Sequence, residues 1–220
     1  MPPGYRLFSS LPLLLEGAAV TALVSILAIA VGVPLGLLLA IIRWRRVPLL
    51  SNAVAAYVSL IRATPAITLA LLIFFALPSF GIVLTPLAAA VLTLTVNTSA
   101  FNCEIWRAAL IDFPAEQLDA ARAFGLRPRL AFRRIIFPQI WRTSLPALVN
   151  EMTLLIKASP ALAVIGLVDL TRAASRIGAA TYKPLPPFIV ATLLYVLLVL
   201  AFVALQRLAE RHLYAMRSAQ

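Results

Sequence analysis

Polar and charged residues inside apolar stretches are the part of this chain whose residue types and spacing suit chemistry. One set recurs at steps of three and four residues, so its members share one face of a helix. Its members are Thr93, Asn97, Ala100, Glu104 and Arg107. Polar side chains are costly in apolar surroundings, so this face is a candidate wall for the path of a polar solute. Alternatively, Glu104 and Arg107 are three residues apart and neutralise each other.

A second set falls on one helical face further along the chain, at Asn150, Thr153 and Lys157, with Glu151 about 100° around the same helix. A zwitterionic solute needs both signs of charge. Lys157 would attract its carboxylate, and Glu151 or Glu104 its ammonium group. The alternative is structural, because Lys157 would equally form an internal ion pair with either acid.

Arg62, Thr64 and Pro65 interrupt an apolar segment and are candidates for a structural or gating role. Proline cannot donate the helical hydrogen bond, so it frees a carbonyl one turn earlier. Arg62 would bind freed carbonyls there or hold the break against an acidic partner.

Enzymatic chemistry is not indicated. The two lysines, Lys157 and Lys183, follow Ile156 and Tyr182, so neither completes a phosphate-binding P-loop. His212 and Cys103 stand alone, which suggests neither a metal site nor a nucleophilic pair, and a single cysteine allows no intrachain disulfide. We therefore predict no catalytic residue, no metal and no cofactor bound by this chain.

Composition places these residues in a membrane protein. The chain has 220 residues, of which 62% are hydrophobic and 12% charged, and its mean hydropathy is +0.98. A soluble domain is rarely so apolar. The net charge of +11 is explained by arginines that flank membrane spans, so nucleic-acid binding is not favoured.

Hydropathy predicts an all-α integral membrane protein with five transmembrane helices in a single domain, residues 1–220. The predicted spans are about 17–42, 53–77, 87–106, 139–157 and 188–205. The first is 26 residues long, about 39 Å as a helix, and is interpreted as a retained span rather than a signal peptide. Residues 160–170 are apolar but too few to cross, which favours a short re-entrant segment.

Basic residues are unevenly divided between the two sides that five spans define. One side carries Arg43, Arg45, Arg46, Arg107, Arg122, Arg127, Arg129, Arg133, Arg134, Arg142, Arg207, Arg211 and Arg217. The other carries Arg6, Arg172, Arg176 and Lys183. Because positive charge stays inside, the N-terminus is predicted outside and the C-terminus in the cytoplasm, together with loop 112–138.

Loop 112–138 predicts two short helices. Asp112 is the expected N-cap of the first, and Gly125 its end. Pro128 would start the second, and Pro138 would close the segment. The simplest interpretation is a basic interfacial segment that holds anionic lipid headgroups.

The loop also resembles a known motif. It reads Asp119-Ala120-Ala121, three residues, Gly125, nine residues, Ile135, one residue and Phe137-Pro138, which is similar to the EAA motif of ABC-transporter permeases. Asp119 replaces the usual glutamate, and Phe137 the usual leucine. The resemblance implies a coupling helix that docks on an ATPase subunit. The docking residues it implies, with the neighbouring arginines, are Asp119, Ala120, Ala121, Gly125, Arg129 and Arg133.

Other segments resemble the polar amino acid subfamily (histidine, glutamine and arginine-type permeases) in the same order along the chain. They are Arg62-Ala63-Thr64-Pro65, residues 100–107, Gln117, and Asn150 with Lys157. Ala63 replaces a glycine, and Ala158-Ser159-Pro160 replaces the usual D-T-S after the lysine. The loss of that acidic position weakens the case for a cationic amino acid as cargo.

The resemblance implies the ABC importer permease fold and an ATP-driven bacterial inner-membrane importer of a polar amino acid or a relative such as an opine. Implied partners are an ATPase dimer that binds ATP and Mg, a second permease subunit, identical or different, and a periplasmic or lipid-anchored substrate-binding protein. Two alternatives remain: an ion-coupled secondary transporter with Glu104 and Glu151 as titrating groups, and a non-transporting sensor or assembly module.

Overall fold

The computed structural model describes residues 3–215, with side chains for residues 10–205 and 207. Arg217 lies outside the described residues, as do the side chains of Arg6, Arg211 and His212. Within residues 3–215 every regular element is a helix. The predicted all-α class is therefore confirmed for this part of the chain.

Nine α-helices follow one another between residues 3 and 215. They are α1 (Pro3–Trp44), α2 (Leu50–Ala63), α3 (Ala66–Ala76), α4 (Pro86–Ile111), α5 (Ala115–Ala123), α6 (Pro128–Ala131), α7 (Phe137–Ala158), α8 (Leu170–Thr181) and α9 (Leu185–Ala215). Short 3-10 helices cover Leu77–Phe80 and Ser159–Ile165, and a π-helix covers Phe132–Ile136.

Among the described residues, three helical stretches are long and apolar enough to cross a membrane. They are Ser10–Trp44, Pro128–Ile165 and Leu185–Leu205. A fourth is counted if Leu50–Ala63 and Ala66–Phe80 form one broken span. The predicted span at 87–106 corresponds to α4, which has 26 residues but is not one of these stretches. Its threonines, Asn97, Asn102 and Glu104 lower its hydropathy.

The predicted interruption at Pro65 is confirmed. Helix α2 ends at Ala63, and the helix axis turns by 111° at the break before α3. The carbonyl of Ile61, which Pro65 cannot satisfy, accepts the N–H of Thr64 at 3.1 Å instead. The Thr64 hydroxyl donates to the carbonyl of Leu60 at 2.8 Å. A proline and a threonine together therefore end the helix without losing these backbone bonds.

Two local predictions in loop 112–138 are wrong. Asp112 is not an N-cap, because its N–H donates to Ala108 at the end of α4, and Pro114 precedes α5. Pro138 does not close a short helix, because it lies in the first turn of α7. The preceding π-helix gives the physical reason. The N–H of Phe137 donates to Phe132, five residues back, and this wider register accommodates a proline that cannot donate.

The described residues fall into two compact units. The first comprises Met1–Ala28, Pro65–Leu94 and Met152–Gln220, so far as these ranges are described. Its apolar core joins the N-terminal half of α1 to α8 and α9 through Leu14, Leu170 and Ala191. At the start of α8, the buried carboxylate of Asp169 accepts the N–H of Arg172 at 2.9 Å and the hydroxyl of Tyr195 at 3.3 Å.

The second unit comprises Ile29–Thr64 and Thr95–Glu151. Trp106 of α4 is its largest fully buried side chain, and the ring stacks on Trp141 of α7 with centroids 5.7 Å apart. The indole N–H of Trp106 donates to the carbonyl of Val33 in α1 at 3.2 Å. This unit holds the end of α4, loop 112–138 and the start of α7, and so positions most of the predicted site residues.

Candidate functional site

The segment predicted to dock on a partner forms a short helix with a defined end. Two residues beyond the end of α5, Gly125 adopts the left-handed conformation with φ of +69°. The N–H of Leu126 donates to Ala121 at 3.0 Å, and the N–H of Gly125 donates to Arg122 at 2.9 Å. This pair of bonds is the Schellman arrangement, which satisfies the last carbonyls of a helix. The sequence prediction that Gly125 ends the helix is confirmed.

The outer face of this segment is exposed and charged. Asp119 and Arg122 form an ion pair at 3.0 Å with side chains 70% and 69% exposed, so it contributes little to stability. Ala120, Arg129 and Arg133 are also exposed, whereas Ala121 is buried. The docking residues named from the sequence therefore divide into an exposed group and one buried alanine.

Gln117 of α5 ties the segment to the start of α7. The amide of Gln139 donates to the side-chain oxygen of Gln117 at 2.7 Å, and to the carbonyl of Ile135 at 3.1 Å. One side-chain hydrogen bond therefore joins α5 to the first turn of α7.

Glu104 lies between two arginines in the second unit. Its carboxylate accepts from Arg107 of the same helix at 2.8 Å and from Arg43 near the end of α1. The Glu104 side chain is 20% exposed. Arg43 was not identified from the sequence as a partner, and it lies 61 residues away along the chain. Glu104 thus carries one negative charge for two guanidinium groups, and its role in a solute path stays a prediction.

Replacing Glu104 by glutamine is expected to destabilise the protein by about 1.5–3 kcal/mol, the size of a lost charge-assisted hydrogen bond. Arg43 and Arg107 would be left partly buried without an acidic partner. Thermal unfolding of the purified protein in detergent measures the effect. Asp119→Asn is the control, since its exposed ion pair should cost less than about 1 kcal/mol. Equal stabilities for the two variants would contradict a structural role of Glu104.

A close packing of α1 against α4 was missed by the sequence analysis. A Cβ atom built on Gly36 would lie 2.9 Å from the Cβ of Asn102, and one on Gly32 would lie 2.8 Å from Thr98. Glycines four residues apart allow two membrane helices to approach closely, and that spacing was the available signal. Asn102 and Thr98 are fully buried, and their side-chain polar atoms have no hydrogen-bond partner among the described residues.

Arg62 lies beside two residues of the second unit. Its guanidinium carbon is 5.3 Å from the ring centroid of Phe101, a cation–π distance. It is also the charged group that acts on the carboxylate of Glu151, which is partly buried in α7. The positive charge at the break of α2 thus acts on Glu151, a predicted ligand of the solute's ammonium group.

The other predicted path residues lie on α4 and α7. Asn97 is partly exposed, Thr153 is buried, and Asn150 and Lys157 are exposed. Lys157 belongs to the last turn of α7, where a cation also complements the helix dipole. Asn97 and Asn150 belong to the second unit, and Thr153 and Lys157 to the first.

A cavity of about 550 Å³ lies in the second unit where α4 runs into loop 112–138. It is lined mainly by apolar side chains, with Glu104, Asp112, Gln139 and Thr143 as polar contributors. Ser144 also lines it, and its hydroxyl is buried without a partner among the described residues. In the described part of the chain, no three residues of the histidine, cysteine, aspartate and glutamate types are placed to hold a metal ion.

Comparison with known families gives one match that covers most of the chain. Residues 32–214 match the family described as the inner membrane component of binding-protein-dependent transport systems. The match includes the whole of loop 112–138 and both sets of polar residues in α4 and α7.

Individual relatives are similar over nearly their full length. The nopaline transport system permease protein of Agrobacterium fabrum is 33% identical over 93% of this chain and 89% of its own. The arginine transport system permease protein of Bacillus subtilis is 33% identical over 92% and 93%. Among solved structures, that of an amino acid ABC transporter with histidines superposes with a TM-score of 0.85 at 33% identity, covering 96% of this chain and 99% of that one.

Proposed function

Because this chain belongs to the family of inner membrane components of binding-protein-dependent transport systems, we propose that it forms the path for an amino acid or opine and couples to an ATPase through loop 112–138. The observation that carries the coupling role is the exposed helix α5, ended by the left-handed Gly125, between membrane helices of this family's fold. The path and docking roles of individual residues are proposals.

The chain is a permease subunit of an ABC importer and a membrane protein. The predicted family and the prediction that it is not itself an enzyme are both confirmed by that membership. In this kind of system a separate ATPase binds ATP and a binding protein supplies substrate. The fold is the all-helical ABC importer permease fold.

The finer architecture is also proposed. Five spans would be made by α1, the broken pair α2 and α3, α4, α7 and α9, with the 3-10 helix Ser159–Ile165 as the re-entrant segment. The arginine distribution supports an outer N-terminus and a cytoplasmic C-terminus. With that orientation, α5 would lie on the cytoplasmic side, where an ATPase would be found.

The names of the relatives support a class of transported solute rather than one compound. The relatives are named for nopaline and for arginine transport, and the similar structure is that of an amino acid transporter. These solutes carry both a carboxylate and at least one basic nitrogen. Within the second unit, Arg62 of α2 and Glu151 of α7 offer both signs of charge, in agreement with a solute of mixed charge.

Two copies of the permease, or this chain and a similar one, would enclose the path, and an ATPase dimer with bound ATP and Mg would dock on the two α5 helices. ATP-driven closure would then move the membrane helices between outward and inward access. The bond from Gln139 to Gln117 supports a mechanical connection between α5 and α7.

Reconstitution in vesicles tests the proposal. With the cognate ATPase and binding protein present, we expect ATP-dependent uptake of a labelled amino acid or opine, identified first by a ligand screen on the binding protein. Uptake without the ATPase, under an imposed proton gradient, would show an ion-coupled carrier instead. An absence of uptake with all partners present would show a non-transporting module.

A further inference from the structure

A second cavity lies against α5, between this helix, the π-helix Phe132–Ile136 and the end of α1. It has a volume of about 280 Å³ and is lined by nine residues, of which seven are apolar. Leu118 and Arg122 of α5 form one wall, and Phe132 and Ile136 of the π-helix form another. Trp44 and Arg45, at the end of α1, complete it.

The two charged residues of the lining are both arginines. Arg45 has no ion-pair partner among the described residues, and Arg122 has only its exposed pair with Asp119. The neighbouring Arg46, Arg127 and Arg134 are likewise exposed and unpaired in the described part of the chain. The lining is thus mostly apolar, and one of its guanidinium groups, that of Arg45, has no acidic partner in the described part of the chain. Such a cavity suits an amphiphile with a negative head and an apolar tail.

The location of the cavity at the end of the first membrane span indicates the same class of ligand. The cavity is where the first span ends in Trp44, Arg45 and Arg46, the pattern of a helix end at the cytoplasmic headgroup level. At that depth, anionic phospholipids of the inner leaflet are concentrated and attract basic residues.

We propose that this cavity binds an anionic phospholipid, with its phosphate at Arg45 and Arg122 and part of an acyl chain against Leu118, Phe132 and Ile136. The bound lipid supports the inner face of α5 and so steadies the helix that docks on the ATPase. The assignment rests on the proposed cytoplasmic location of the loop. It makes the coupling segment a lipid-dependent element in addition to a protein-docking one.

The test measures lipid retained by the purified importer complex, using native mass spectrometry after exchange into detergent with phosphatidylglycerol or phosphatidylcholine of the same acyl chains. Arg45→Gln is expected to lower retained phosphatidylglycerol about fivefold, because one arginine near an anionic membrane surface contributes about that factor to the binding constant. Arg46→Gln is the matched control. It removes the same charge one residue away, from a side chain that does not line the cavity.

Equal losses in the two variants would show a diffuse basic surface and overturn the proposal. Leu118→Trp tests the tail: it fills the cavity without changing charge, and it should reduce retention while both arginines remain. Unchanged retention in that variant would remove the acyl-chain part of the assignment. Displacement of phosphatidylglycerol by inorganic phosphate alone would indicate a simple anion site, again against the proposal.

The functional consequence is measured separately. In vesicles, ATP-dependent uptake by the wild-type complex should fall when phosphatidylglycerol is replaced by phosphatidylcholine. The Arg45→Gln complex should respond less to that change. Lipid retention is measured without transport, so a negative retention result would contradict the lipid site and leave the proposed importer function untouched. An absence of uptake would contradict the importer function and leave the retention result valid.

Discussion

Replacing Gly125 by aspartate is expected to lower ATP-driven uptake about tenfold while the protein still inserts in the membrane. The backbone of Gly125 has φ of +69°, and most residues with a Cβ cost about 1–2 kcal/mol in that region. The new carboxylate would also lie at the negative end of α5, which costs about 0.3–1 kcal/mol. With the backbone cost of aspartate near the lower end of its range, the total is about 1.3–2 kcal/mol, which corresponds to at least about tenfold in the population of the docked arrangement.

Folding of the membrane part should be unaffected, because a Cβ at Gly125 meets no atom within 4 Å. Gly125→Asn is the matched control. Asparagine has nearly the same shape and a similar backbone cost in the left-handed conformation, but it lacks the charge. Uptake and co-purification of the ATPase should be closer to wild type in that variant. Normal ATPase assembly and uptake in Gly125→Asp would remove the docking assignment.

Replacing Lys157 by methionine is expected to reduce substrate-stimulated ATP hydrolysis by about tenfold to a hundredfold. If Lys157 attracts the carboxylate of the solute, the variant loses a charge-assisted interaction of about 1.5–3 kcal/mol. Complex assembly should change much less, because the Lys157 side chain is exposed. The measurement is ATP hydrolysis by the reconstituted complex over a range of concentrations of liganded binding protein.

Lys183→Met is the control, since Lys183 is the other lysine of the chain and lies between α8 and α9. It should keep its substrate dependence. Lys157→Arg should retain part of the stimulation if charge at this position is what matters. A structural role at the end of α7 predicts a different result: lower stability in Lys157→Met, with an unchanged response to substrate.

Several features of the fold and site were readable from short stretches of sequence. The helix break can be predicted from Thr64 and Pro65 alone, because the hydrogen bond that proline cannot donate lies within the same helical turn. The end of α5 can be predicted from Gly125 alone, because the left-handed conformation favours glycine. The two errors, at Asp112 and Pro138, both misplaced a helix end. Helix α4 continues to Ile111, so that Asp112 still donates to Ala108, and the π-helix Phe132–Ile136 leads into α7, whose first turn contains Pro138.

The sequence by itself determined the class of molecule, the family and the position of loop 112–138 between apolar stretches, because hydropathy, charge distribution and motif order are properties of the chain in one dimension. The tertiary structure alone decided which distant residues meet. Arg43 joins Glu104 across 61 residues, and Gly36 packs on Asn102. Each of these contacts depends on how two helices rotate and approach, and helix packing sets that through all of their side chains together. The cavity beneath α5 was hidden for the same reason, since Arg45 and Arg122 line it only once the end of α1 lies against the loop.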